Sequence, residues 1–68
     1  MIPVAISEDE IESWEGYTSP PIGVIATFKR PVGFHKLARV VLNRVIYRVV
    51  YVDDDRRTVW LRKLEEIV

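Results

Sequence analysis

The chain contains no cysteine and no glutamine, and only one histidine, one methionine and one asparagine. Without cysteine there is no disulfide framework and no thiolate metal site. His35 stands alone, so a metal centre built on several imidazoles is excluded. One histidine can still act as a general base, but nothing near His35 in sequence poises it, and a lone His after a turn reads first as a surface or hydrogen-bonded residue. The three glycines are scattered singly, which leaves no phosphate-cradling loop, and no cofactor is expected. No stretch approaches the roughly 18 consecutive apolar residues of a membrane span. The opening Met-Ile-Pro-Val-Ala-Ile lacks a basic region and runs straight into acids, unlike a signal peptide. A cytoplasmic protein with no membrane partner is the expectation. Scarcity of thermolabile residues, with seven Arg against three Lys, is a pattern of heat-adapted proteins.

What is present is a folded composition, 49% hydrophobic over 68 residues. That length makes one domain, residues 1–68. Such a chain buries only about 60% of its unfolded surface, so docking on a partner or self-association is expected to supplement its core. The formal net charge of zero conceals segregation. Residues 1–16 carry Glu8, Asp9, Glu10, Glu12 and Glu15 and no base; residues 17–52 carry Lys29, Arg30, Lys36, Arg39, Arg44 and Arg48 and no acid.

Residues 44–64 organise the rest. Two arms rich in β-branched and aromatic residues flank Asp-Asp-Asp-Arg-Arg, the pattern of a β-hairpin. The connection lacks Gly and Asn, so a two-residue turn is disfavoured. A three- or five-residue loop pairs Val52 with Thr58, Val50 with Trp60 and Arg48 with Arg62. Val45, Tyr47, Val49, Tyr51, Val59 and Leu61 then share a face that reads as core. A four-residue loop shifts the pairing by one.

Upstream, Ser7-Glu8-Asp9-Glu10 fits a capping box, with Ile6 and Ile11 as the hydrophobic staple and acids suited to a helix N-terminus. This predicts a short helix over residues 8–15, docked through Ile11 and Trp14 and ended by Gly16. Residues 1–6 read as a short edge strand, 17–21 as a loop, 22–30 as a strand and 31–33 as a turn. Residues 35–43 carry both helical spacing and a strand-like Val40-Val41-Leu42. The strand reading is preferred, because 31–33 then forms the first of two successive hairpins. The predicted fold is α+β: one N-terminal helix on a small antiparallel sheet of three to five strands, meander or barrel-like, with a β-rich basic body over about 22–66.

The chemistry-bearing clusters each have a plain alternative. Asp53-Asp54-Asp55 offers oxygen ligands, yet lacks the alternate spacing, Gly and terminal Glu of calcium loops, so it reads as a solvated turn. The acids of 8–15 are explained by capping, which leaves no catalytic carboxylate pair. No catalytic and no metal residue is assigned, and the sequence argues against an enzyme. The basic set is the functional lead: Lys29, Arg30, Lys36, Arg39, Arg44, Arg48, Arg56, Arg57, Arg62 and Lys63 lie on or beside predicted strands, with Phe34, Tyr47 and Trp60 among them. Of these, Lys29, Arg30, Lys36, Arg39, Arg44, Arg48, Trp60 and Arg62 are the expected binding residues. Arginines and aromatics on a sheet bind phosphates and stack on bases; the plain reading is the wet face of a two-layer domain. The expectation is a non-catalytic binding module for a protein partner (self-association included) or for RNA or DNA. The acidic helix is expected to lie over the basic sheet and compete with an anionic ligand.

Residues 47–64, Tyr-Arg-Val-Val-Tyr-Val-Asp-Asp-Asp-Arg-Arg-Thr-Val-Trp-Leu-Arg-Lys-Leu, resemble the C-terminal hairpin of RelE/ParE-type toxins. The resemblance covers about a quarter of the chain. It implies a β-α-α-β-β-β order and, as the alternative function, a ribonuclease or gyrase inhibitor. This chain departs from that family in its length, in having no long helical pair before the hairpin, and in ending Glu-Glu-Ile-Val. No functional residue is carried over.

Overall fold

β-branched and aromatic residues, which pack well on a pleated surface, make most of this chain strand. The computed structural model describes residues 3–17 and 23–67. Its strands are β1 (Val4–Ala5), β2 (Ile11–Tyr17), β3 (Gly23–Phe28), β4 (Arg39–Leu42), β5 (Val45–Val52) and β6 (Thr58–Glu66). They form one six-stranded sheet in the order β1-β4-β5-β6-β3-β2. β1 runs parallel to β4 and every other pair is antiparallel. The expected α+β fold with three to five strands is therefore corrected to a nearly all-β, mixed sheet, curled around one core. The predicted loop over 17–21 lies largely outside the described residues.

The N-terminal helix is the main correction. The capping box forms as the residues predict: the Ser7 side chain accepts from Asp9 N at 3.4 Å, and Ser7 N donates to Glu10 Oε2 at 2.9 Å. Only a 3-10 turn, Glu8–Glu10, follows it before the chain turns extended at Ile11. An eight-residue helix satisfies few of its own backbone groups, since four N–H and four C=O stay orphaned at its ends. Pairing with β3 from Ile11↔Phe28 to Tyr17↔Gly23 gives the same residues a ladder instead. Ile11 still packs against the core, but Trp14 sits half-exposed on an edge strand.

Side chains from β3 to β6 alternate between two faces. Val24, Ala26, Phe28, Val40, Leu42, Tyr47, Val49, Val59 and Leu61 point to the inner face and are buried, with Ile6 and Val32 closing the cluster. No polar or charged residue is buried among the described residues. The outer face has no helix or second sheet over it among the described elements. No helix there is long and apolar enough to cross a membrane. The helical pair of the RelE/ParE order is likewise not among the described elements.

The central hairpin carries a β-bulge that changes its register. Arg48 lies opposite Arg62, as the odd-loop alignment requires, but Tyr51 pairs with Trp60 and Val52 with Val59. Asp53 N donates to Thr58 O at 2.9 Å and closes a four-residue loop. The extra residue at Val50 reconciles that even loop with the core alternation further down. Tyr51 is thereby turned outward, not into the core, and Val52 takes the inward place.

Of residues 35–43 only Arg39–Leu42 forms a strand, β4, preceded by a turn at Lys36-Leu37 and joined to β5 by Asn43-Arg44. Both turn residues have positive φ, 51° and 63°, the condition of the two-residue turns that match strand twist. β3 and β4, however, do not form the expected hairpin; residues 29–38 cross over, and β3 pairs with β6 and β2. The Asp53–Thr58 loop clips this crossover. Arg56 Nε donates to Val32 O at 3.0 Å and its Nη2 to Phe34 O at 2.7 Å. Arg57 Nε donates to Phe28 O at 2.9 Å, and its Nη2 pairs with Glu12 at 2.7 Å. Phe28 and Phe34 meet edge to face, 5.9 Å apart.

Candidate functional site

Two cross-strand rows define the outer face. In the first, Arg39 lies opposite Arg48, Arg48 opposite Arg62, and Arg62 opposite Gly23. Alternation puts these arginines outward, because Val40, Tyr47, Val49 and Leu61 beside them are buried inward. Neighbouring strands stand about 4.8 Å apart, so the three arginines start from adjacent backbone positions on one face. In the second row Tyr51 lies opposite Trp60, Trp60 opposite Ile25 and Ile25 opposite Glu15. Trp60 and Arg62 are two residues apart on one strand, about 7 Å along it. The rings of Tyr51 and Trp60 meet edge to face at 6.2 Å and 79°, with the residues 48% and 43% exposed.

The electrostatics of the first row are unbalanced. Among the described residues the ion pairs are Arg57–Glu12 and Lys63–Glu66, and neither touches the row. Arg48 is partly buried, and its Nε is enclosed with no hydrogen-bond partner. The acids sharing the face are Glu65, opposite Ile46, Glu15 on the edge strand and, at the Tyr51 end, Asp53, whose carboxylate accepts from the Tyr51 hydroxyl at 3.3 Å. Like charges directly opposite one another destabilise a sheet by up to about 1 kcal/mol a pair. The row is thus arranged against the stability of the free chain.

The expected site residues separate into three groups. Arg39, Arg48 and Arg62 come together, with Trp60 one row away. Lys29 and Arg30 lie beyond β3, on an open groove of about 660 Å³ that they line with Val4, Ile6, Glu10 and Phe34. Lys36 and Arg44 are exposed in separate turns. Tyr51 is the residue that sequence reading misses, because Val50 and Val52 suit either parity and give no sign of the bulge. Arg56 and Arg57, part of the basic stretch, are structural clips.

The acids do not form a lid over the row, which corrects that expectation. Glu8 accepts from the Asn43 side chain, Glu10 caps Ser7 and Glu12 holds Arg57. In the hairpin loop Asp53 accepts from Asp54 N and the Tyr51 hydroxyl, and Asp55 from Arg57 N and Thr58 N. Those backbone donors hold the Asp55 carboxyl below its ordinary pKa. The Asp53 charge pushes the Tyr51 phenol up, so it stays a neutral donor. On the inner side, burial pushes up the Tyr47 phenol, which lies near Lys63 and Glu66. His35 is exposed in the crossover, where its carbonyl accepts from Ala38 N. Among the described residues no cluster of His, Asp and Glu has the makings of a metal site. Comparison with known proteins gives no match, whether to family models, to curated proteins or to solved structures.

Proposed function

We propose that this chain is a non-catalytic binding module that takes a polyanionic partner, nucleic acid, on the Arg39–Arg48–Arg62 row. The observation that carries the reading is the row itself: three arginines at adjacent positions on one face with no acid paired to them among the described residues, one with an enclosed, unpartnered nitrogen. Proteins break local stability rules at functional sites. Arginine is suited to such a site because its planar fork offers several donors to phosphate oxygens. The proposal keeps the cytoplasmic location expected from the sequence. A protein partner is the second reading, favoured by apolar side chains outside the core, Leu37 at 65% exposure above all.

Fluorescence anisotropy with labelled oligonucleotides at low and rising salt tests the first reading. Three phosphate contacts to a single strand give a slope of about −2 in log affinity against log salt, and Arg39→Ala or Arg62→Ala flattens it by about 0.7. Absence of binding at low salt removes the nucleic-acid reading and leaves the protein interface.

A further inference from the structure

We infer that the nucleic acid is single-stranded, with its phosphates along the arginine row and a base against the Tyr51–Trp60 pair. The inference rests on the anion-binding reading above and adds what the second row contributes. Both aromatic residues are about half-exposed on the outer face, beside the arginines and not on some other surface. Their outward placement depends on the Val50 bulge, since without it Tyr51 would share the inner face with Val49. Bulges re-aim side chains in this way next to functional sites.

The spacing suits one nucleotide. Trp60 and Arg62 point to the same side two residues apart, about 7 Å along β6, within the reach from a phosphate to a base of the same strand. Tyr51 sits across from Trp60, so the aromatic surface spans two strands. Ile25 continues that row on β3, and Val41 and Ile46, both only partly buried, flank the arginines on the other side. An unstacked base with its sugar has apolar surface to lay on these side chains, whereas a duplex keeps its base faces stacked inside and presents phosphates, sugars and groove edges. Duplex reading uses a helix or a narrow two-stranded ribbon in the major groove, and a face four strands wide does not enter it. Stacking on aromatic side chains is tolerant of base identity because every base has a π-face. The expected ligand is therefore single-stranded and weakly sequence-selective. Polyglutamate would use the arginines alone.

The test compares four probes on the full chain by anisotropy: a short oligothymidylate, an abasic strand with the same number of phosphates, a duplex of the same length, and polyglutamate. Oligothymidylate is expected to bind at least about fivefold more tightly than the abasic strand, the smallest gain that base stacking on an aromatic gives. In the Trp14→Phe chain, whose substitution lies outside the site, Trp60 fluorescence is expected to be quenched by oligothymidylate and not by the abasic strand. Tyr51→Leu should narrow the preference for the strand with bases. Equal affinity for the two strands, or tighter binding of the duplex or of polyglutamate, overturns this inference while leaving anion binding by the row intact. If none of the four binds at low salt, both the inference and the reading beneath it fail. The abasic comparison uses the unsubstituted chain, so misfolding of a variant does not blunt it.

Discussion

Replacing Arg48 by leucine should stabilise the fold and weaken binding together. The enclosed Nε has no partner, and an unsatisfied buried donor costs about 1–3 kcal/mol. Arg39 and Arg62, directly opposite on either side, add repulsion of a few tenths to about 1 kcal/mol each. Against this, leucine forgoes part of the packing made by the arginine stem. The net expectation is a gain of about 1–3 kcal/mol, large beside the total of about 3–10 kcal/mol for a chain this size. With a urea m-value near the lower limit for small proteins, about 1 kcal/mol/M, the midpoint should rise by about 1 M or more. Arg48→Lys separates the two effects: the ammonium keeps the charge but leaves only methylene where Nε is enclosed. It should recover the part due to the orphaned nitrogen and retain weaker, salt-sensitive oligonucleotide binding. Urea titrations followed by tryptophan fluorescence, paired with anisotropy on the same samples, read both quantities. An Arg48→Leu chain that is destabilised by more than about 1 kcal/mol, or that binds as well as the parent, refutes the reasoning.

Four further outcomes follow from the loops. Arg44→Gly should raise stability by about 1 kcal/mol, because a non-glycine residue at φ 63° carries a penalty of that order, read as a higher urea midpoint. Arg56→Ala removes two charged hydrogen bonds to the carbonyls of Val32 and Phe34 and should cost about 2–4 kcal/mol by the same titration. Arg56→Gly should cost about 1 kcal/mol less, since φ at this position is 58°. Asp55 has a lowered pKa in the fold, so its contribution is present above the unfolded carboxylate pKa of about 4 and is lost as pH falls through the folded value. The stability gap between the parent and Asp55→Ala should therefore be full at neutral pH and close below about pH 4; a gap unchanged at acid pH contradicts the assignment.

Local signals in this chain are legible and long-range ones less so. The Ser7–Glu10 capping box is readable because its partners are three residues apart, and it forms. Whether helix or strand follows depends on β3 standing ready to pair with residues 11–17, which no local pattern announces. Asn43 signals a tight turn with positive φ, which the periodicity of residues 35–43 obscures. Core alternation puts Arg48 and Arg62 on one face, but their pairing, expected from an odd-length loop, arises from a four-residue loop compensated by the Val50 bulge, which no local pattern announces. Adding Arg39 to the row requires the β4–β5 register, and separating Arg56 and Arg57 from it requires seeing which carbonyls they reach. The aromatic row is hidden by Val50, where either parity buries a valine.

Amide and indole chemical-shift mapping by NMR, during titration of a short oligothymidylate at low salt, tests the central claim most directly. The account predicts progressive shifts at Arg39, Arg48, Arg62, Tyr51 and the Trp60 indole, with the Arg56 and Arg57 loop and the Lys29–Arg30 groove unmoved. Shifts centred on that groove, or none on the outer face at saturating ligand, would contradict it.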